Sequence, residues 1–302
     1  MVTEYIDDAI EHESQGNLHL AIDCYRKALE GLEKTGTPID IASLADKLGN
    51  LYETLGEIIF AEQYYEAALK IFKSVGDHQG IARGYGNLAY ISETRGDLRR
   101  ATAYYQDSLS IYMDLNDQQG IATTYGYLGI ICKKRDKLSE AAELYQKALK
   151  INQELDDQAA IACQYNNLGN LHEMSGELDQ AEALFLKALE INQSIKSDWG
   201  LADVYNNLGM VRQKRKDTEQ SIAYYEQALN INHKLKNNWG VACQYNNIAE
   251  VFVLQLQFKK AHEFYNKALS LFENIGAKPE IEEVQKNIAD LIRIEAEKSS
   301  GT

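Results

Sequence analysis

Residues 161–188 read IACQYNNLGNLHEMSGELDQAEALFLKA. In the first half of this stretch, Ile161, Tyr165 and Leu168 fall at i, i+4 and i+7, which is the spacing of one face of an α-helix. The second half repeats that spacing. Gly176 lies between the halves and predicts a tight turn, because glycine adopts positive φ without a steric penalty. The stretch therefore predicts two amphipathic helices joined by a turn.

The same unit recurs along the chain with a period of forty residues. A column is the set of residues that occupy one place in successive repeats. Three columns are almost uniformly apolar or aromatic: Ile41, Ile81, Ile121, Ile161, Leu201, Val241 and Ile281; Leu48, Leu88, Leu128, Leu168, Leu208, Ile248 and Ile288; and Tyr25, Tyr65, Tyr105, Tyr145, Phe185, Tyr225 and Tyr265. Tandem amphipathic units of this kind stack and bury a continuous core.

Residues that favour the start of a helix mark the boundaries between repeats. Their side chains can accept a hydrogen bond from a free backbone amide of the following helix. They form the column Thr37, Asp77, Asp117, Asp157, Ser197 and Asn237. Both prolines, Pro38 and Pro279, stand at predicted helix starts, where a missing N–H is tolerated.

These signals predict an all-α fold, an α-solenoid of about seven helix hairpins with a C-terminal capping helix. The capping helix is predicted at 279–297, within a single domain over 1–298 that is followed by a tail at 299–302. The repeats are predicted at about 3–36, 37–76, 77–116, 117–156, 157–196, 197–236 and 237–276.

The repeat resembles the tetratricopeptide (TPR) consensus in its pattern of aromatic, Leu-Gly, Ala, aromatic and Ala residues. The pattern is carried by Tyr165, Leu168, Gly169, Ala181, Phe185 and Ala188. The forty-residue form is similar to the repeats of the LGN/Pins-type and bacterial TPR scaffolds. Asp136, Lys216 and Leu256 depart from the pattern, because they stand where a turn glycine is usual. The resemblance implies a right-handed superhelix with the first helix of each pair on its concave side.

The resemblance also implies a peptide-binding groove along that concave side. We expect its lining residues on one stripe of the first helices, where side chains vary from repeat to repeat. The candidates are Arg83, Asn87, Tyr90, Tyr127, Lys134, Asn167, Asn170, Asn207, Met210, Lys214, Asn247 and Glu250.

One column of this stripe is rich in asparagine, whose carboxamide both donates and accepts hydrogen bonds. It contains Asn87, Asn167, Asn207, Asn247 and Asn287. In the TPR families named above, asparagine at this place binds the backbone of an extended peptide. The alternative is that these side chains bond across neighbouring helices of the chain itself.

Two basic clusters and two tryptophans also leave alternatives open. The clusters at 133–135 and 212–216 lie near the ends of first helices, where they either complement the helix dipole or dock an acidic segment. Trp199 and Trp239 are either binding hot spots or covers over the core.

The overall composition narrows the class of function. The net charge is −14, which argues against nucleic acid and anionic membrane as main partners. The N-terminus has no signal-peptide pattern, and no apolar run is long enough to cross a bilayer. The four cysteines form no CxxC pair and are expected to be reduced thiols, so we expect a cytoplasmic protein.

The sequence shows no nucleophile–base arrangement and no metal-ligand spacing, so we expect neither enzymatic activity nor a cofactor. The leading hypothesis is a scaffold that binds an extended peptide or partner segment in the concave groove. The alternative is a peptide-sensing regulatory module that changes superhelical pitch on binding. The partner and the oligomeric state stay open.

Overall fold

The computed structural model describes residues 2–300, apart from the side chains of 298–300. All regular secondary structure in this range is α-helical, and no strand occurs in it. The helices are α1 Val2–Ser14, α2 Leu18–Thr35, α3 Pro38–Thr54, α4 Ile58–Val75, α5 His78–Thr94, α6 Leu98–Asp114, α7 Gln118–Lys134, α8 Leu138–Glu154, α9 Gln158–Met174, α10 Leu178–Ser194, α11 Asp198–Lys214, α12 Thr218–Lys234, α13 Asn238–Leu254, α14 Phe258–Ile275 and α15 Lys278–Ser300.

The predicted fold class is confirmed: the fold is an all-α repeat solenoid. Odd-numbered helices from α1 to α13 are the first helices of pairs, and even-numbered helices are the second. In the pairs α3–α4, α5–α6, α9–α10, α11–α12 and α13–α14, the two helices pack more extensively on each other than on the next pair. Helix α15 is longer at both ends than predicted, and residues 301–302 of the predicted tail lie outside the described residues.

The first helices from α3 to α13 begin at the predicted cap residues. The Asp77 carboxylate accepts a hydrogen bond from Gly80 N at 3.1 Å, and the Ser197 hydroxyl accepts one from Gly200 N at 3.2 Å. Asp117, Asp157 and Asn237 make the equivalent bond. At α3 the bond belongs to a reciprocal capping box between Thr37 and Asp40. These caps satisfy amides that would otherwise lack a partner and so fix where each repeat begins.

The turns inside the pairs adopt left-handed backbone conformations. Gly176 has φ of 77°, and Gly16, Gly56 and Gly96 are similar. The residues that replace the usual glycine adopt the same conformation: φ is 58° at Asp136, 63° at Lys216 and 58° at Leu256. The turn geometry is therefore retained in these repeats, at a steric cost that glycine avoids.

Core packing within a pair depends on a small residue facing a ring. Gly169 of α9 lies so close to the Phe185 ring that a Cβ there would stand 2.6 Å from a ring carbon. Gly49 faces Tyr65 and Gly209 faces Tyr225 in the same way. The Leu-Gly step of the repeat therefore makes room for the aromatic column of the second helix.

The chain divides between Ile151 and Asn152 into two compact units, called unit N and unit C. The core of unit N includes Leu48, Tyr65 and Ile91, all of them fully buried. The core of unit C includes Phe185 and Leu208 in one cluster, and Ile248 and Leu291 in another. The single domain over 1–298 stays a prediction.

Candidate functional site

The candidate site residues all lie on first helices, and together they are called the first-helix stripe. In unit N, Arg83, Asn87 and Tyr90 lie on α5, and Tyr127 and Lys134 lie on α7. In unit C the stripe occupies α9, α11 and α13, with Asn167, Asn170, Asn207, Met210, Lys214, Asn247 and Glu250.

Four of the stripe residues in unit N line one pocket. Arg83, Asn87, Tyr90 and Tyr127 surround a cavity of about 480 Å³, called the unit N pocket. Helix α6 closes one side of it with Tyr105, Ser108 and Tyr112. The remaining lining residues are Asn50, Glu53, Gly86, Asp117, Gln119, Gly120, Thr123 and Thr124.

Two stripe residues in this pocket are held by a carboxylate of the preceding repeat. The Arg83 Nε donates to one oxygen of Asp46 at 2.8 Å, and Asn87 Nδ2 donates to the other at 2.9 Å. Tyr127 stacks on Tyr105 with ring centroids 5.2 Å apart and the ring planes 8° from parallel. The walls of the pocket are therefore ordered by contacts within unit N.

The stripe lysines are paired with buried glutamates. The Lys134 Nζ lies 2.8 Å from Glu93, and the Lys214 Nζ lies 2.6 Å from Glu173. Nearby, Arg212 and Arg215 both bind Glu182. These glutamate partners were not among the predicted roles of the basic clusters, and the pairing leaves these side chains less available to dock an acidic segment.

The asparagine column of unit C forms a ladder between successive first helices. The Nδ2 of Asn207 donates to Asn166 Oδ1 at 2.9 Å, and Asn247 Nδ2 donates to Asn206 Oδ1 at 2.9 Å. Asn287 Nδ2 continues the series to Asn246 at 3.2 Å. Each bond joins the second asparagine of one Asn-Asn pair, or Asn287, to the first asparagine of the pair before it. This geometry supports the interpretation in which the column bonds across neighbouring helices.

Asn167 stands outside this ladder. Its Nδ2 lies 3.7 Å from Cys163 Sγ on the same helix, which is a weak contact. Asn170 and Asn167 are both half-buried, so their carboxamides are accessible from one side.

Glu250 occupies a polar corner of unit C. Its carboxylate accepts hydrogen bonds from Gln213 Nε2 and Asn246 Nδ2, each at 3.1 Å. Burial raises the pKa of Glu250, and the nearby charge of Glu283 adds to that effect. Met210 lies on the preceding first helix, α11, where its sulfur is 3.6 Å from Asn206 Nδ2.

The two tryptophans are exposed. Trp199 is 58% exposed and Trp239 is 51% exposed, at the second residue of α11 and of α13. The Trp239 Nε1 donates to Glu280 at 3.2 Å. With so much of each ring in solvent, neither residue covers the core.

Some pocket residues were not among the predicted site residues, and Gly86 is the clearest case. It stands in one column with Asp46, Gly126, Asn166, Asn206 and Asn246. A glycine in a column that is otherwise polar was the available signal that space can open at a repeat. Ser108 and Tyr112 gave no such signal, because they belong to a second helix.

The described residues contain no cluster of metal ligands and no membrane-spanning helix. Across residues 2–297, no three His, Cys, Asp or Glu side chains are grouped to hold a metal ion. The helices within the described range are too short or too polar to cross a bilayer. All four cysteines are free thiols, and burial raises the pKa of Cys243 to about 12, so this thiol is not activated as a nucleophile.

Solved structures with the same fold support the architecture. The apo form of RapI aligns with a TM-score of 0.76 and 18% identity, over 91% of this chain and 99% of that one. Aspartyl phosphate phosphatase F from Bacillus subtilis aligns with a TM-score of 0.74 and 15% identity, over 88% and 69%. BtubC (BKLC) from P. vanneervenii aligns with a TM-score of 0.61 and 22% identity, over 71% and 91%. At these identities the likeness concerns the fold alone.

The family is shown by the sequence itself. No curated protein matches the chain. The tetratricopeptide repeat family matches three segments, residues 40–114, 120–194 and 200–274, which together cover most of the chain. The chain therefore belongs to the tetratricopeptide repeat family and is a protein-interaction module.

Proposed function

We propose that the chain is a cytoplasmic scaffold that binds an extended segment of a partner protein along the first-helix stripe. The single observation that carries this proposal is the unit N pocket, because four stripe residues from two first helices converge on one cavity. Its volume of about 480 Å³ lies within the range of roughly 300–1,000 Å³ of pockets that hold small ligands.

The character of the lining supports binding to a polypeptide. Tyr90 and Tyr127 are each 40% exposed, so both rings offer apolar area together with a hydroxyl group. Tyrosine is enriched at interface hot spots because its ring buries a large area while its hydroxyl keeps a hydrogen bond. The forty-residue repeat and its similarity to LGN/Pins-type scaffolds agree with an extended partner segment.

The charge of the protein supports a protein partner over a nucleic acid. The net charge of −14 opposes binding to phosphate backbones, which depends mainly on lysine and arginine. The stripe lysines Lys134 and Lys214 are already paired with glutamates, and so are poor phosphate ligands.

The test is capture of partners from a lysate of the source cells by the wild-type protein and by Tyr90→Ala/Tyr127→Ala. We expect the double variant to lose the captured partner by at least about tenfold in affinity, equivalent to about 1.4 kcal/mol, because both rings are exposed binding surface. The loss of affinity should not be accompanied by a comparable loss of stability, as measured by the melting temperature.

The matched control is Ile59→Ala on the second helix α4, where the side chain is 65% exposed. It should retain the partner. Loss of binding in the Ile59 variant with full binding in the tyrosine variant would move the site to the second helices and end the proposal.

A further inference from the structure

The unit N pocket is open beside Gly86, where the repeat has no side chain and four other repeats have a polar one. A Cβ added at Gly86 would meet only the Ser108 hydroxyl, 3.9 Å away. Close packing therefore does not require a glycine here, in contrast to Gly49, where a Cβ would stand 2.5 Å from the Tyr65 ring. The space above Gly86 is unfilled by the protein's own side chains.

The charged groups that line the pocket already have hydrogen-bond or ion-pair partners within unit N. The Arg83 guanidinium is paired with Asp46 and lies 5.5 Å from the centroid of the Phe72 ring. Glu53 accepts a hydrogen bond from Tyr65 at 2.7 Å, and Asp117 caps α7. A charged guest would have to compete with these contacts for a counter-ion while it loses solvent, which is unfavourable.

The groups that meet a guest include rings and hydroxyls. Tyr90, Tyr112 and Tyr127 supply aromatic surface. Within the described residues, the hydroxyls of Tyr90 and Thr123 make no hydrogen bond. The hydroxyls of Ser108 and Thr124 already donate to backbone carbonyls. Aromatic pairs are stabilised beyond the burial of their area.

From this lining we infer that the unit N pocket receives one tyrosine or tryptophan side chain of the partner segment, at a place opened by Gly86. Such a guest combines a flat apolar body that packs on the tyrosine rings with a polar tip that bonds to the Tyr90 or Thr123 hydroxyl. The inference rests on the proposed function and specifies the partner residue that this part of the stripe selects.

The test fills the pocket with the residue that other repeats carry. Gly86→Asn introduces the side chain found at Asn166, Asn206 and Asn246, and Gly86→Ala is a smaller step in the same direction. Both replacements favour a helix over glycine, so loss of binding would not come from a weakened helix. Gly96→Asn is the matched control, because it lies in the turn of the same repeat with open space around it.

A random peptide library is selected on the wild-type protein, and the enriched peptides are measured on every variant. We expect one position of the enriched peptides to be tyrosine or tryptophan. Their affinity should fall about tenfold or more for Gly86→Asn, by an intermediate factor for Gly86→Ala, and not at all for Gly96→Asn.

The outcomes separate the two proposals. If the wild-type protein enriches peptides that lack an aromatic position, or that bind Gly86→Asn and Gly86→Ala as tightly as wild type, the pocket assignment is wrong and the scaffold function stands. Enrichment of a charged residue whose binding depends on Gly86 also overturns the assignment. If no peptide is enriched at all, the scaffold function fails together with the pocket.

Discussion

Individual residues in this chain show where the repeat tolerates departures. Leu256 takes a left-handed backbone conformation with φ of 58° in a turn where other repeats place glycine. A side chain in that conformation costs roughly 1–2 kcal/mol. Glu250 is a second unusual residue, because its ionisable carboxylate lies at a partly buried place on the stripe.

Leu256→Gly should stabilise the protein. Relief of the backbone strain outweighs the greater chain entropy of glycine, which costs roughly 0.5–1 kcal/mol, so we expect a gain of up to about 1 kcal/mol. The measurement is the free energy of unfolding in urea. Leu254→Gly is the control, since Leu254 is equally exposed but helical, and it should destabilise. A loss of stability in both variants would show that the turn is not strained.

Glu250→Gln should raise the stability of the protein at neutral pH. Burial raises the folded-state pKa of Glu250 above its reference of 4.5, so the ionised carboxylate opposes folding. The stabilising contribution of the protonated acid is complete below the unfolded-state pKa and is lost as pH rises through the folded-state pKa. Glutamine keeps a neutral acceptor for one of the two facing amides, so Gln213 and Asn246 can retain their bonds with Tyr225 and Asn287.

The check is the melting temperature of both proteins as a function of pH. The advantage of Glu250→Gln should be present at pH 7 and should disappear below about pH 4.5, the reference pKa. The control is Glu226→Gln, at an exposed position on α12. Its free energy of unfolding should stay within about 0.5 kcal/mol of the wild-type value. A variant that is equally destabilised at every pH would contradict this account.

At the scale of helices, the asparagine ladder distinguishes residues that look identical in the sequence. Asn207 and Asn167 stand in the same column, each as the second member of an Asn-Asn pair. Asn207 is 9% exposed and bonds to Asn166, whereas Asn167 has only a weak contact with Cys163. The two residues therefore differ in their hydrogen bonds although they hold the same place in the repeat.

Asn207→Ala should therefore lower the free energy of unfolding by about 1–2 kcal/mol, because it removes a buried hydrogen bond and leaves Asn166 without its donor. Asn167→Ala should change it by no more than about 0.5 kcal/mol, since alanine also favours the helix. Chemical denaturation of the two variants checks the difference. Equal destabilisation would mean that Asn167 has a structural role of its own.

The helices were easier to predict than the contacts between them. The caps from Thr37 to Asn237 and the period of the apolar columns depend on local spacing, which the sequence displays directly. The ladder depends on the stagger between successive first helices, which places the second asparagine of one repeat beside the first asparagine of the repeat before it. Bonding across neighbouring helices was one of the two alternatives, but the pairing of a second with a first asparagine was not predicted, because adjacent residues such as Asn206 and Asn207 point in different directions on their own helix.

For the whole molecule, the family and the fold class followed from the repeat, whereas the site was only partly predictable. Arg83, Asn87, Tyr90 and Tyr127 were expected on one surface, and they do line one pocket. The depth of that pocket depends on Gly86 and on side chains of α6, which a search limited to the first-helix stripe does not include. Lys134 and Lys214 were candidates for ligand contact, and their glutamate partners depend on packing between repeats.

Small-angle scattering with and without an enriched peptide tests the scaffold against the peptide-sensing alternative. The Asn-Asn and Lys-Glu pairs along the stripe already hold neighbouring first helices together within each unit. We therefore expect the radius of gyration to stay the same within error when peptide saturates the protein. A reproducible compaction on binding would favour the sensing module.

The asparagine ladder has a direction, and this bears on how such a chain can lengthen. A repeat with both asparagines donates to the repeat before it and accepts from the repeat after it. Tandem duplication of the segment that carries Asn206 and Asn207 would therefore supply a new unit with matching partners on both flanks, without compensating mutations. Copies of the segments with Gly86 or Gly126 would bring no carboxamide oxygen to accept the bond. Duplication of a repeat should therefore be tolerated best within unit C.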